Sequence, residues 1–337
     1  SVIKSKKKMT YEDCNEIFEN NVVPEGYGPF VNDLLLMQEL AQIIENRRRE
    51  KGALDFGNSE IEFILDDEGN IIDVTQRHQG PAEKLIENFM VITNEALAEY
   101  MYNLGIEFVY RNHEIPYDDK VKEVVKLITS MGYKVDAIEN SDDPHVMQSV
   151  INSLNSKEEF FILSSLLLRS MQKAYFSTEN KGHYGLALNA YSQTTSPIRR
   201  LMDLIIEYIL DNIDKIFDGT IAMDELKTSL DSLCERASMM ERCADKAEYE
   251  ANKLYMIDYV LKRQDMDFFG YIQEITPRYM VVKTKELIEG IVYFDDILDG
   301  TYVYNPDCKW LENPNTGHRL IIGSKLKLHF KEADREY

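Results

Sequence analysis

The chain contains the segment YSQTTSPIRRLMDL at residues 191–204, and this segment decides how the rest is interpreted. Ser196 is a favourable helix N-cap and Pro197 suits the first helical position, so a helix is predicted to begin here. Arg199 and Arg200 would then lie in its first turn, where the helix dipole disfavours each cation by roughly 0.3–1 kcal/mol. A phosphate in front of the helix would offset that cost, because free N–H groups and a guanidinium bind it well.

The arginine pair has a second interpretation. Asp203 and Glu207 follow on the same predicted helix, at spacings that allow ion pairs. The arginines would then be solvated and held by carboxylates, with no ligand involved. The spacing alone leaves both interpretations open.

Composition restricts the kind of nucleic-acid contact that the chain could make. Its 337 residues include 38 Lys and Arg against 59 Asp and Glu, which gives a net charge of −21. Such a balance argues against a surface that coats nucleic acid through bulk charge. Any nucleic-acid contact would therefore have to use a local basic site, such as an enclosed groove. The alternative is that the acidic residues form a solvated surface that serves solubility.

The cysteines and the apolar runs bear on location. Cys14, Cys234, Cys243 and Cys308 have no C-x-x-C spacing, so neither a zinc site nor a disulfide framework is indicated. The first residues lack the apolar core of a signal peptide, and no apolar run approaches the length of a membrane span. These patterns predict a cytoplasmic protein without membrane contact.

Helix and turn signals organise the first part of the chain. Thr10, followed by acids, predicts a helix start, and Gly52 predicts the end of a helix over residues 31–50. The apolar face predicted for that helix consists of Leu36, Leu40, Ile43 and Ile44. Residues 61–66 and 70–75 are predicted to form two strands joined by a turn.

A long helix is predicted between Gly80-Pro81 and Gly105. Its predicted core stripe consists of Leu85, Phe89, Ile92 and Ala96. Glu87 and Asn94 then share the opposite face. Further helices are predicted over residues 120–133, 156–172 and 226–263, and residues 142–144 are predicted to be a loop.

From Phe268 onward the chain is predicted to form short β-strands. The predicted strands are residues 268–275, 278–284, 290–294 and 325–330. Short strands at this spacing predict a small barrel. Aromatic residues in this part could stack on bases beside Lys283 and Lys285, although alternation in a barrel core would give the same list. They are Phe268, Phe269, Tyr271, Tyr279, Tyr293 and Phe294.

The segment HYGLALNAYSQTTSPIRRLMDLI, residues 183–205, resembles the signature of the RNB exoribonucleases, and residues 108–120 resemble that family's RxHExP loop. Gln193 and Thr194 replace a His-Phe pair of many members, and Leu201 and Met202 replace a tyrosine and its neighbour. The resemblance implies an α+β fold: the helix-rich C-terminal portion of an RNB catalytic domain over residues 1–264, then an OB-fold β-barrel over residues 265–337. It also implies that the chain is truncated at both ends.

The resemblance implies roles for individual residues. Arg199 would be catalytic and would bind the phosphate at the scissile end, where it neutralises developing charge. Arg200 would bind RNA or, more simply, pair with Asp203. Thr195 and Ser196 would donate hydroxyls to phosphate, although Ser196 is equally explained as a helix cap.

Three further residues are implied to contact RNA. Tyr11 would contact the nucleotides near the 3′ end, unless it only packs at a helix start. Glu87 would accept a hydrogen bond from the ribose 2′-OH, although an ordinary solvent-facing glutamate fits the same position. Glu248 would line the product end of an RNA channel. Glu241 is the alternative residue for that role. His183 is predicted to be structural.

The resemblance implies a processive exoribonuclease that hydrolyses single-stranded RNA from the 3′ end to nucleoside monophosphates, as a monomer in the full-length protein. The family holds Mg²⁺ with clustered aspartates, and this chain has no D-x-D-D motif. The Mg²⁺ ligands are therefore expected on upstream sequence, and the chain alone is expected to be inactive. The alternative is a non-catalytic module that holds RNA 3′ ends.

Overall fold

The structure is a computed structural model that describes residues 2–57, 60–133, 135, 142–157, 160–306 and 309–333. The helices are α1 (Tyr11–Asn20), α2 (Val31–Glu50), α3 (Pro81–Leu104), α4 (Asp118–Ser130), α5 (Pro144–Leu154), α6 (Phe160–Ser170), α7 (Leu201–Asp211), α8 (Ile213–Phe217) and α9 (Met223–Leu261). The strands are β1 (Glu60–Leu65), β2 (Ile71–Arg77), β3 (Tyr110–Asn112), β4 (Tyr175–Ser177), β5 (Asp267–Ile275), β6 (Tyr279–Thr284), β7 (Glu289–Tyr293), β8 (Val303–Asn305), β9 (Trp310–Glu312), β10 (Arg319–Leu320) and β11 (Lys325–His329). The α+β class is confirmed.

The ends of the early helices follow the predicted signals. Thr10 caps α1, because its hydroxyl accepts a hydrogen bond from the Asp13 N–H. α3 begins directly after Gly80 and ends at Gly105, whose φ of +68° is one that glycine adopts without strain. The hairpin β1–β2 is antiparallel, as predicted.

The predicted buried faces of α2 and α3 are partly wrong. In α2 the buried residues are Leu34, Ala41 and Ile44, whereas Leu36, Leu40 and Ile43 are exposed. In α3 the buried stripe is Ala82, Leu85, Asn88, Val91, Asn94, Ala98 and Met101, and Ala96 is exposed. The α3 stripe differs because two asparagines lie on the buried face with their amides hydrogen-bonded, which periodicity of apolar residues cannot detect.

The start of the arginine-bearing helix was also predicted wrongly. Residues 197–199 form a turn, and α7 begins at Leu201 with Arg200 as its N-cap residue. The cause is Asp203 in the first turn of α7, whose buried carboxylate accepts a 2.7 Å hydrogen bond from the Ser196 N–H. That bond holds Ser196 beside the helix instead of at its cap, so the helix dipole does not act on Arg199 as predicted.

The predicted loop lies at residues 142–143, and α5, which was not predicted, begins directly after it at Pro144. Asp143 caps it by accepting a hydrogen bond from the His145 N–H, and Pro144 occupies the first turn. An Asp-Pro pair is a helix start signal of the same type as Gly80-Pro81.

The strands at the end of the chain form two antiparallel sheets, with the orders β11-β5-β6-β7 and β10-β9-β8. The four long strands were predicted; the short β8, β9 and β10 were not. Within the described part of the chain no ladder closes these sheets into a barrel, so the predicted OB-fold barrel stays a prediction. Of the six aromatics in this part, Tyr271 is buried, whereas Phe269 and Tyr293 are exposed.

The β-strands share a hydrophobic core with the helices. Ile162 and Leu166 of α6 pack in one cluster with Ile272 and Val282 of the four-stranded sheet and Leu311 of β9. A separate cluster joins α3, β3, β4, α7 and α9. The packing therefore fixes the β-rich end on the helices.

None of the described helices has the length and apolar character that a membrane span requires. Cys14, Cys234 and Cys243 are free cysteines. Cys308 lies outside the described residues.

Candidate functional site

A cleft of about 330 Å³ lies between α1, α3 and the segment that precedes α7. The residues that line it are Tyr11, Arg77, Gln79, Glu83, Ile86, Glu87, Met90, Val91, Asn94, Tyr191, Thr195 and Arg200. Of the predicted site residues, Tyr11, Glu87, Thr195 and Arg200 meet here. Three distant parts of the sequence thus supply an aromatic ring, a carboxylate, a hydroxyl and a guanidinium to one space.

Asn94 joins the two walls of the cleft. This residue of α3 is 2% exposed. Its amide donates a 3.2 Å hydrogen bond to the Tyr191 hydroxyl and accepts a 3.0 Å hydrogen bond from the Thr194 N–H. Burial raises the pKa of Tyr191, and the Asn94 bond and the nearby arginines partly oppose that effect. The hydroxyl is therefore a neutral structural partner at neutral pH.

Asp203 stabilises the turn at residues 197–199 and the adjacent Arg200. Its carboxylate is fully buried and accepts hydrogen bonds from the Ser196 N–H and, at 2.8 Å, from Arg200 Nη2. The predicted Arg200–Asp203 pair is thus confirmed. A buried carboxylate needs such partners, because an unpaired charge costs several kcal/mol.

Several buried polar atoms lack a hydrogen-bond partner among the described residues. Two belong to lining residues, Thr195 Oγ1 and Arg200 Nε. Gln193 Oε1, Asp203 Oδ2 and Arg48 Nε are in the same state. Buried polar groups are rarely left unsatisfied, so the two lining atoms would be satisfied by a water or by a polar ligand in the cleft.

The other predicted site residues lie outside the cleft lining. Arg199 is exposed in the 197–199 turn and forms no ion pair with any residue that the structure describes, so the predicted pairing with Glu207 is absent there. Ser196 contributes its N–H to Asp203. Glu248 is exposed on α9, and its competitor Glu241 forms a bidentate pair with Arg111, with N···O distances of 2.6 and 3.0 Å.

Arg77 and Gln79 line the cleft and were not identified from the sequence. Arg77 ends β2 and lies 3.6 Å from Glu83 of α3. The available signal was the run RHQGP, in which a basic and a polar residue immediately precede a helix start.

His183 and His113 pack behind the cleft. The two rings contact each other edge to face, and His183 also packs on Tyr191. His183 Nδ1 accepts a hydrogen bond from the Leu186 N–H, and His113 Nδ1 accepts one from Gly185. Loss of hydration, with the neighbouring His113 and Arg111, lowers the pKa of His183 to about 3. His183 is therefore a neutral structural histidine, as predicted.

The neutral His183 should make the protein less stable as the pH falls. Above pH 6.5 its ring is neutral in the folded and unfolded states; below it the unfolded state alone takes up the proton. Between pH 7 and pH 5 we expect a loss of up to about 2 kcal/mol in the free energy of unfolding, measured by urea denaturation. His183→Gln should flatten this dependence, and His78→Gln, at an exposed position, should not. An unchanged slope in His183→Gln would contradict the assignment.

The residues that the structure describes include several acidic pairs. No group of three or more His, Cys, Asp or Glu there has an arrangement that could hold a metal ion. The acidic pairs have local roles instead: Asp66 accepts hydrogen bonds from Asn70 in the hairpin turn, Asp118 and Asp119 lie in the first turn of α4, and Asp143 caps α5. These residues do not fit a Mg²⁺ site.

The RNB domain model matches residues 1–215. Among curated proteins, ribonuclease R 1 of Lactococcus lactis is 30% identical over 99% of this chain and 41% of its own length. Ribonuclease R of Thermotoga maritima is 32% identical over 99% of this chain and 48% of its own length. The apo form of Mycoplasma genitalium RNase R superposes with a TM-score of 0.88 at 25% identity, covering 96% of this chain and 51% of that one. The chain spans about half the length of the relatives it matches, and it belongs to the RNB domain family.

Proposed function

We propose that this chain is the RNA-holding part of an exoribonuclease that hydrolyses single-stranded RNA processively from the 3′ end and releases nucleoside monophosphates. The observation that carries the proposal is the cleft in which Tyr11, Glu87, Thr195 and Arg200 converge. A ring for base stacking, an acceptor for the ribose hydroxyl and donors for phosphate are the groups that a ribonucleotide requires.

The relatives support an RNA ligand. One solved structure with the same fold is the M. genitalium enzyme in complex with ribose methylated single-stranded RNA, which superposes with a TM-score of 0.88. In our proposal Glu87 accepts a hydrogen bond from the ribose 2′-OH and Tyr11 stacks on a base. The Thr195 hydroxyl donates a hydrogen bond to a phosphate oxygen. Arg199, in the adjacent turn, binds the scissile phosphate, and Ser196 supports that turn.

Mg²⁺ would supply the activated water and charge neutralisation that phosphodiester hydrolysis needs, and none of the described residues is assigned to hold it. Residues 265–337 would bind RNA as an OB-fold, with Phe269 and Tyr293 as exposed stacking residues. Glu248 would contact RNA along α9. A monomeric state and a cytoplasmic location belong to the same proposal.

Degradation of RNA is the direct test. With Mg²⁺, the complete gene product should release nucleoside monophosphates from a single-stranded RNA labelled at every phosphate, and a blocked 3′ end should stop the release. Thin-layer chromatography distinguishes monophosphates from larger products. Binding without any release would instead establish the alternative, a module that holds RNA 3′ ends. Absence of both binding and release would refute the proposed function.

A further inference from the structure

Arg48, one of three consecutive arginines at the end of α2, contacts α3 beside the cleft. Its side chain is 14% exposed, whereas that of Arg49 is 55% exposed and pairs with Glu45 of the same helix. Arg48 Nη1 lies 3.3 Å from Glu87 Oε1 and 2.6 Å from Asn88 Oδ1. Arg48 therefore connects α2 to the part of α3 that carries Glu87.

Asn88 fixes the position of this guanidinium. It is 3% exposed, and its Nδ2 donates a 2.9 Å hydrogen bond to the Lys84 carbonyl one turn earlier. The amide oxygen faces Arg48, because a guanidinium only donates hydrogen bonds and therefore requires the acceptor of the amide. A largely enclosed cation also needs a counter-charge, and Glu87 is the carboxylate within reach.

The same contacts restrict Glu87. Its side chain is 46% exposed and lines the cleft, so without a partner it would sample many rotamers. Arg48 engages Oε1, and Oε2 has no partner among the residues described. An ionised carboxylate only accepts hydrogen bonds, so Oε2 remains available to a hydroxyl in the cleft.

We propose that Arg48 is a positioning residue that holds the Glu87 carboxylate in place to accept from the 2′-OH of the 3′-terminal nucleotide, and so sets the preference for ribose over deoxyribose. This inference rests on the proposed function. Arg48 need not touch the RNA itself. Its contribution is preorganisation, since an acceptor already fixed by Arg48 loses little further freedom when the hydroxyl binds.

The test compares binding of two oligonucleotides to the complete gene product in EDTA, which prevents hydrolysis. Both are the same 5′-fluorescein-labelled single-stranded RNA, and one ends in a 2′-deoxynucleotide. Fluorescence anisotropy gives the ratio of two Kd values, that of the RNA with the 2′-deoxy end divided by that of the RNA with the ribose end. A high ratio means a strong preference for ribose. We expect Arg48→Gln to lower this ratio roughly tenfold, the factor that about 1.4 kcal/mol represents. Glu87→Gln should do the same, and the double variant should lose no more than either single one.

Arg49→Gln is the matched control, since it removes the neighbouring cation and should leave the ratio unchanged. Arg48→Lys retains the charge but lacks the planar guanidinium with its several N–H donors, so it should lose part of the ribose preference. This variant also tests the inference if Arg48→Gln fails to fold. A ratio that falls in Glu87→Gln but not in the Arg48 variants overturns the inference and leaves the proposed function intact. A parent that neither binds nor degrades RNA refutes both.

Discussion

Arg199→Ala is expected to slow RNA hydrolysis by roughly 100- to 1,000-fold while leaving the stability of the protein unchanged. The loss in rate is expected because a guanidinium beside the scissile phosphate stabilises the charge of the transition state. Stability should not change because Arg199 is exposed and has no ion-pair partner in the described parts of the chain. Single-turnover rates with Mg²⁺ and a 5′-labelled RNA give the first quantity, and thermal unfolding gives the second.

Two variants make this comparison specific. Arg236→Ala removes the same charge from an exposed position of α9 that does not line the cleft, and it should retain the parent rate. Arg200→Ala should lose stability, since it leaves the buried Asp203 without its cation. If Arg199→Ala hydrolysed RNA as fast as the parent, the proposed contact of Arg199 with the scissile phosphate would be contradicted.

Asp203→Ala should lower the free energy of unfolding by about 3–5 kcal/mol, the usual cost of breaking a buried charge pair. The carboxylate is fully buried, and its removal strands both the Arg200 guanidinium and the Ser196 N–H. The 197–199 turn should then lose its register, so RNA hydrolysis should fall as well. Urea denaturation measures the stability difference.

Glu207→Ala is the control for this loss, because it removes an exposed carboxylate from the same helix and should change stability by no more than about 0.5 kcal/mol. Asp203→Asn should lie between the parent and the alanine variant, since an amide oxygen still accepts from Ser196. A loss below about 1 kcal/mol in Asp203→Ala would show that solvent compensates for the missing carboxylate, contrary to its burial.

Local capping and helix-ending residues made much of the helical framework predictable. Thr10, Gly80 and Gly105 act through their own backbone geometry and hydrogen bonds, so the helix ends they predicted for α1 and α3 were found. The start of α7 was not predictable in this way. Ser196 and Pro197 carry a strong local signal, yet Asp203 overrides it from within the helix through a buried hydrogen bond.

The site was predicted only in part, because some of its residues are positioned by contacts with distant parts of the sequence. Tyr11, Glu87, Thr195 and Arg200 were named from motifs, and the fold brings them into one cleft. Asn94 was placed on the wrong face of α3, because its burial depends on Tyr191 and Thr194, about 100 residues away in sequence. Hydrogen bonds of that range leave no trace in local periodicity.

The core that α6 shares with the β-strands bears on how such proteins can diversify. Ile162 and Leu166 belong to the packing of the β-rich end, although they precede it by about 100 residues. A recombination event that exchanged this end between relatives would also have to match those two side chains, or it would leave a cavity or a clash. The β-rich end and the α6 residues that pack against it would therefore have to change together.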